Sequence, residues 1–190
     1  MNQRSLLTLF VILSGIMACA QERPLDLKME FEDYDPPSTL VVPEHHITKA
    51  KFPFVDIHNH QFGMPTMNLG NLVNEMDKLN MAVMTNLSGR GRGSTEHLDN
   101  SLKNVKDNYP KRFLVFTNVD FSGIDDPAWT KQAVKQLEED VKKGASGLKI
   151  YKSLGMFNQD SKGNRISIDD PRIDPVWAKC GELGIPVLIH

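Results

Sequence analysis

The chain has 190 residues, 40% of them hydrophobic and 24% charged, with a formal net charge of -2. That is ordinary globular composition, and the near-neutral balance excludes the basic footprint of a nucleic-acid binder. Two cysteines, Cys19 and Cys180, cannot build an internal disulfide framework.

Residues 1–20 read as an export signal. Arg4 supplies a positive start, and Leu6 to Ala18 form an apolar run too short for a lasting transmembrane helix. Ile16-Met17-Ala18-Cys19 resembles a bacterial lipobox, which would make Cys19 the lipidated mature N-terminus. Alternatively, Ala18-x-Ala20 is a plain signal-peptidase site and the mature chain starts at Gln21. The expectation is an exported protein, either periplasmic or attached to a membrane through lipidated Cys19. Cys180 then stands alone within a helical pattern and reads as buried filler.

Residues 21–50, with Pro24, Pro36, Pro37 and Pro43, lack periodicity and read as a tether and N-terminal extension. His45 and His46 fall there. Adjacent residues of an extended chain point to opposite faces, so this is expected to be a solvated pair.

From Lys51 a rhythm sets in. Apolar runs at Phe52 to Ile57, Met81 to Leu87, Phe113 to Val119, Gly147 to Tyr151 and Ile185 to Ile189 predict strands. Between them, helical spacing covers Leu69 to Leu79, Ser94 to Tyr109, Pro127 to Lys143 and Asp174 to Leu183. Strand and helix alternate four times before a fifth strand, which implies a parallel sheet with right-handed crossovers. The strands are nearly continuous apolar runs, as expected when both faces are buried. An open doubly wound sheet and a (β/α)8 barrel both fit. No G-x-G-x-x-G follows the first strand, which weakens the dinucleotide version of the open sheet.

The chemistry concentrates at strand ends. Phe54-Val55-Asp56-Ile57-His58-Asn59-His60 closes the first strand with two histidines on one face, roughly 6.6 Å apart along it. Barrel enzymes build their sites at the C-terminal ends of strands, where two imidazoles can converge on one zinc-like ion. Asp56 shares their parity, either to orient a ligand or to bond neighbouring backbone. Gly184-Ile185-Pro186-Val187-Leu188-Ile189-His190 ends the fifth strand in another histidine, which in a barrel lies across the ring from the first. After the second strand, Gly89-Arg90-Gly91-Arg92-Gly93 puts two arginines in a catalytic-face loop. They suit an acidic substrate group, or else mark a solvated loop. Asn118, Asp120, Tyr151 and Lys152 also fall on that rim and read as loop or structural residues. His97 sits on a predicted helix and is expected to be solvated.

Asp56-x-His58-x-His60 on the first strand, with His190 closing the fifth, resembles the amidohydrolase superfamily. The likeness is greatest to its amidohydrolase-related branch of metal-dependent hydrolases and decarboxylases, over residues 52–190. The resemblance implies an α/β fold that is a partial (β/α)8 TIM barrel, strands one to five with four helices. It implies a divalent ion, zinc or else manganese or iron, held by His58, His60 and His190. A strand-six histidine and a strand-eight aspartate, which normally complete such a site, are not among these 190 residues. Lys149 on strand four matches the lysine that bridges two metals when carboxylated in binuclear members; a substrate-carboxylate clamp or a salt bridge are its other readings. The expected reaction is hydrolysis of an amide, ester or lactone of a small molecule, with His190 and Lys149 taking part. The competing readings are non-oxidative decarboxylation with Arg90 or Arg92 holding a carboxylate, a non-catalytic exported binding protein, and an inactive truncation. Five strands cannot close an eight-stranded barrel, so the isolated chain is expected to aggregate or to form a homo-oligomer.

Overall fold

The computed structural model describes residues 31–190; the signal segment with Cys19 and the first part of the extension lie outside the described residues. Two compact units divide at His45/His46. Within the first, the described residues form a 3-10 turn at Phe31–Asp33 and then irregular, exposed chain.

The second unit carries the strand–helix rhythm. Pro53 lacks an N–H for a ladder, so β1 begins at Phe54 and runs to Asn59. α1 occupies Leu69–Leu79 because both ends are capped: Asn68 Oδ1 accepts from Gly70 N, and Asn80 takes the left-handed conformation at φ 65°. β2 is Met81–Asn86, and α2 is Thr95–Asn108 with Ser94 capping by accepting from His97 N. α3 covers Trp129–Lys143 and ends on Gly144 at φ 122°. β5 is Leu148–Ile150, α4 is Asp174–Leu183 with a proline in its first turn, and β6 is Val187–Ile189. A kinked helical turn at Ser153–Met156 and a short antiparallel bridge, Gln159 to Arg165, shape the loop after β5.

The predicted third strand is two. β3 (Phe113–Val115) pairs with β2, and β4 (Thr117–Asn118) pairs with β5. Phe116 is the hinge. Its N–H still donates to Asn86 O, whereas Thr117 N donates to Gly147 O, so the segment passes from one neighbour to the other within a single residue. The result is two parallel three-stranded sheets, β1-β2-β3 and β4-β5-β6, in chain order.

Each sheet has its own core. Met76 of α1 and Leu98 of α2 cover Met84 and Phe113; Leu137 of α3 with Val176 and Cys180 of α4 cover Leu148 and Ile150. Cys180 is the expected filler, its thiol pushed up to about 11 by burial. Burial of both faces holds for β5 but fails at the outermost strands, where Ile57 is 65% and Ile189 53% exposed.

The loop after β2 approaches the hinge so closely that only glycine fits: a Cβ on Gly89 would lie 2.3 Å from Phe116 O. Backbone cannot yield there as a flexible side chain could. Gly89→Ala is therefore expected to cost about 1–3 kcal/mol or more, read as a lowered urea midpoint with unchanged slope. A wild-type midpoint would mean the hinge is soft.

Candidate functional site

The C-terminal ends of β1 and β6 bring three imidazoles together. The His58 ring centre lies 5.5 Å from that of His60 and 5.2 Å from that of His190. Two irregularities in the β1–β2 register, one between Asp56 and Asn59, place the first pair. Asp56 braces that bend: its carboxylate accepts from the backbone N of His58 and from Asn59 Nδ2. It bonds backbone and a neighbouring amide, and the ring-orienting role is not what its contacts show.

Lys149 is buried beside these rings, 1% exposed, and its Nζ has no hydrogen-bond partner among the described residues. Burial holds its ammonium below the usual lysine range. His60 is lowered by burial first and then by the charges of His58, Lys149 and His190; His190 is lowered chiefly by Lys149. His60, His190 and Lys149 are each pushed toward their neutral forms, and neutral imidazole is the form that ligates metal.

The tautomer of His60 is set from a distance. Tyr151 Oη lies 3.2 Å from Leu87 O, and a carbonyl can only accept, so the phenol donates there. Its oxygen is left to accept from Ser88 Oγ at 3.2 Å, and Ser88 Oγ in turn accepts from His60 Nδ1–H at 2.7 Å. Nε2 of His60 keeps its lone pair. Asn86, fully buried, ties the loops after β1 and β2: its Oδ1 accepts from Gln61 N and Ser88 N. Ser88 and Asn86 were missed in the sequence, although they alternate past the end of an apolar run just as His58 and His60 do.

Imidazole is a ligand type that suits a divalent ion. Two imidazoles sharing a tetrahedral ion at about 2.0–2.1 Å hold their ring centres roughly 5.3 Å apart, near both separations found here. The set is short of closure: among the described residues, no group of three or more His, Cys, Asp or Glu side chains is arranged to hold a metal ion.

The loop arginines separate. Arg90 is 5% exposed, and its NH1 sits 2.9 and 2.8 Å from the two oxygens of Asp140 on α3, while NH2 donates to Thr95. Its expected part in substrate binding is corrected by that geometry: the guanidinium is already committed inside the protein. Arg92 stays exposed and lines a cavity of about 290 Å3 with Tyr151 and Asn158. Asn118 is structural as expected, donating to Leu87 O and Lys149 O. His97 is not simply solvated; its ring nitrogens lie 2.8 Å from Gly89 O and 2.9 Å from Phe62 O, tying two rim loops.

Residues 55–190 match the sequence model of a family described as Amidohydrolase. No curated protein matches the chain. Among solved structures it is similar to 4-oxalomesaconate hydratase from Rhodopseudomonas palustris, with a TM-score of 0.47 and 20% identity over 64% of this chain and 37% of that one. It is also similar to 2,6-dihydroxybenzoate decarboxylase from Rhizobium, with a TM-score of 0.50 and 16% identity over 75% of this chain and 50% of that one. The chain thus spans half or less of the length of these two proteins.

Proposed function

Since the chain belongs to the amidohydrolase family, we propose that the protein is a metal-dependent enzyme that hydrolyses an amide, ester or lactone bond of a small molecule. The observation that carries this is the meeting of His58, His60 and His190 at the strand ends, their ring centres 5.5 and 5.2 Å from His58. We read the six parallel-paired strand segments as the opening part of a (β/α)8 barrel, a reading supported by their chain-order pairing and by the contact of the first and last strand ends.

In this reading His58, His60 and His190 hold the ion, zinc or a related divalent metal. When bound, the ion polarises a substrate carbonyl and lowers the pKa of water toward about 7. Ser88 and Tyr151 fix the ring of His60. Lys149 Nζ, buried and unpartnered, is assigned to contact with the substrate.

A second reading, non-oxidative decarboxylation, is favoured by Arg92 beside the cavity, a group suited to hold a carboxylate. The structural neighbour that is a decarboxylase is consistent with it in fold. Product analysis of the metal-loaded full-length protein on ester, amide, lactone and aromatic acid panels separates the two: hydrolysis products support the first, and released CO2 supports the second. Bound metal with no turnover on any panel would overturn both in favour of a binding protein.

A further inference from the structure

We infer that His97 is a positioning residue that acts as an imidazolium: with a proton on both ring nitrogens it clasps the loops after β1 and β2 together and so holds the ring of His60 in place. The clasp stands on its own geometry; its effect on a bound ion rests on the proposed function.

The hydrogen bonds decide the charge. His97 Nδ1 lies 2.8 Å from Gly89 O, and Nε2 lies 2.9 Å from Phe62 O. A carbonyl oxygen only accepts, so each nitrogen has to donate. Neutral imidazole carries a single N–H, and its other nitrogen would aim a lone pair at a carbonyl oxygen. The doubly protonated ring alone satisfies both contacts. Its position is well fixed. His97 lies in the first turn of α2, its backbone N–H donates to the Ser94 cap, and the adjacent Leu98 is fully buried. Gly91 lies so close to the ring that a Cβ there would come within 2.9 Å of His97 Cδ2.

Both carbonyls belong to segments that handle His60. Phe62 follows it closely in the chain, and the two rings stack with centres 6.1 Å and planes 13° apart. Gly89 follows Ser88, whose Oγ accepts from His60 Nδ1. Losing either bond frees one of the two loops that flank His60. The charged neighbours are few. On its own helix stand Glu96 and Asp99, the latter paired with Lys143. The loop after β2 brings Arg90, held by Asp140, and exposed Arg92; the loop after β1 brings His60, stacked on Phe62. Among the described residues no carboxylate pairs with His97, and the positive end of the α2 dipole opposes a cation there. The two carbonyls are what retain the charge. Both bonds are therefore present below the midpoint of the ring's titration, and one is lost as pH rises through it.

Ring-nitrogen and carbonyl-carbon NMR spectra of the full-length wild-type protein across pH test the clasp. The expected result is an N–H on both nitrogens of His97 at the acidic end, and a carbonyl resonance of Phe62 or Gly89 that moves as one proton leaves. A single N–H throughout the folded range, or carbonyls indifferent to the ring's titration, would overturn the inference. Zn2+ affinity tests the positioning. His97→Phe keeps a flat ring over Gly91 but donates nothing. It should bind Zn2+ roughly 3- to 10-fold more weakly than the wild type below the midpoint, and the deficit should shrink above it. Taking the ratio of the two proteins at each pH cancels proton competition at the ligands themselves. An equal deficit at every pH, or none, would mean that His97 only packs, and sinks the positioning role while the proposed function stands. A wild-type protein that binds no Zn2+ sinks the proposed function, and the spectra then decide the clasp alone.

Discussion

Replacing His58 and His60 together by alanine is expected to strip the full-length protein of its divalent ion and of turnover. These two rings are the first strand's imidazoles at the centre, and in the proposed reading they are two of the ion's three ligands. Partners one shell out from a metal are worth roughly 10–100-fold in affinity, so losing two direct ligands should cost on the order of 100-fold or more. Metal content after desalting, measured beside a His45→Ala/His46→Ala control, reads the effect. The control should keep the wild-type stoichiometry. Undiminished occupancy in the His58/His60 variant would refute the centre.

The second large effect is on stability. Arg90 and Asp140 have side chains only 7% and 2% exposed, and Asp140 Oδ2 also accepts from Thr117 Oγ1 and Gln136 Nε2. Asp140→Ala leaves a guanidinium stranded in the interior, which costs about 3–5 kcal/mol. For a domain of this size that is roughly a 6–20 °C fall in melting temperature. An Arg90→Met/Asp140→Leu pair removes both charges and fills similar volume, so it should recover much of the loss. A single Asp140→Ala variant that melts with the wild type would show that the pair is not held apart from water.

The helices were legible because their ends carry local chemistry. Asn68 and Ser94 cap, Asn80 and Gly184 turn left-handed, and α1 and α4 run over the residues their spacing predicts. His58, His60 and His190 were legible because strand alternation and strand ends say where side chains point. What escaped is what two distant segments decide together. Nothing near Arg90 announces Asp140, 50 positions away. The available signal lay on the other partner: Asp140 follows Trp129, Ala133 and Leu137 on the buried stripe of α3, and a carboxylate on such a stripe demands a cation. The break at Phe116 had no local mark, since Phe113 to Phe116 is apolar throughout; its cause is that two neighbours compete for one segment. The exposure of β1 was hidden because an apolar run looks the same whether or not a second layer covers it.

The path from Leu87 O through Tyr151 and Ser88 to His60 has a consequence for recognition. An imidazole free to spin must surrender that freedom when something arrives, and the loss is subtracted from affinity. Here the ring is already stilled, its electron pair aimed by groups drawn from two other stretches of chain, so the orientational toll falls on folding and an incoming guest is spared it.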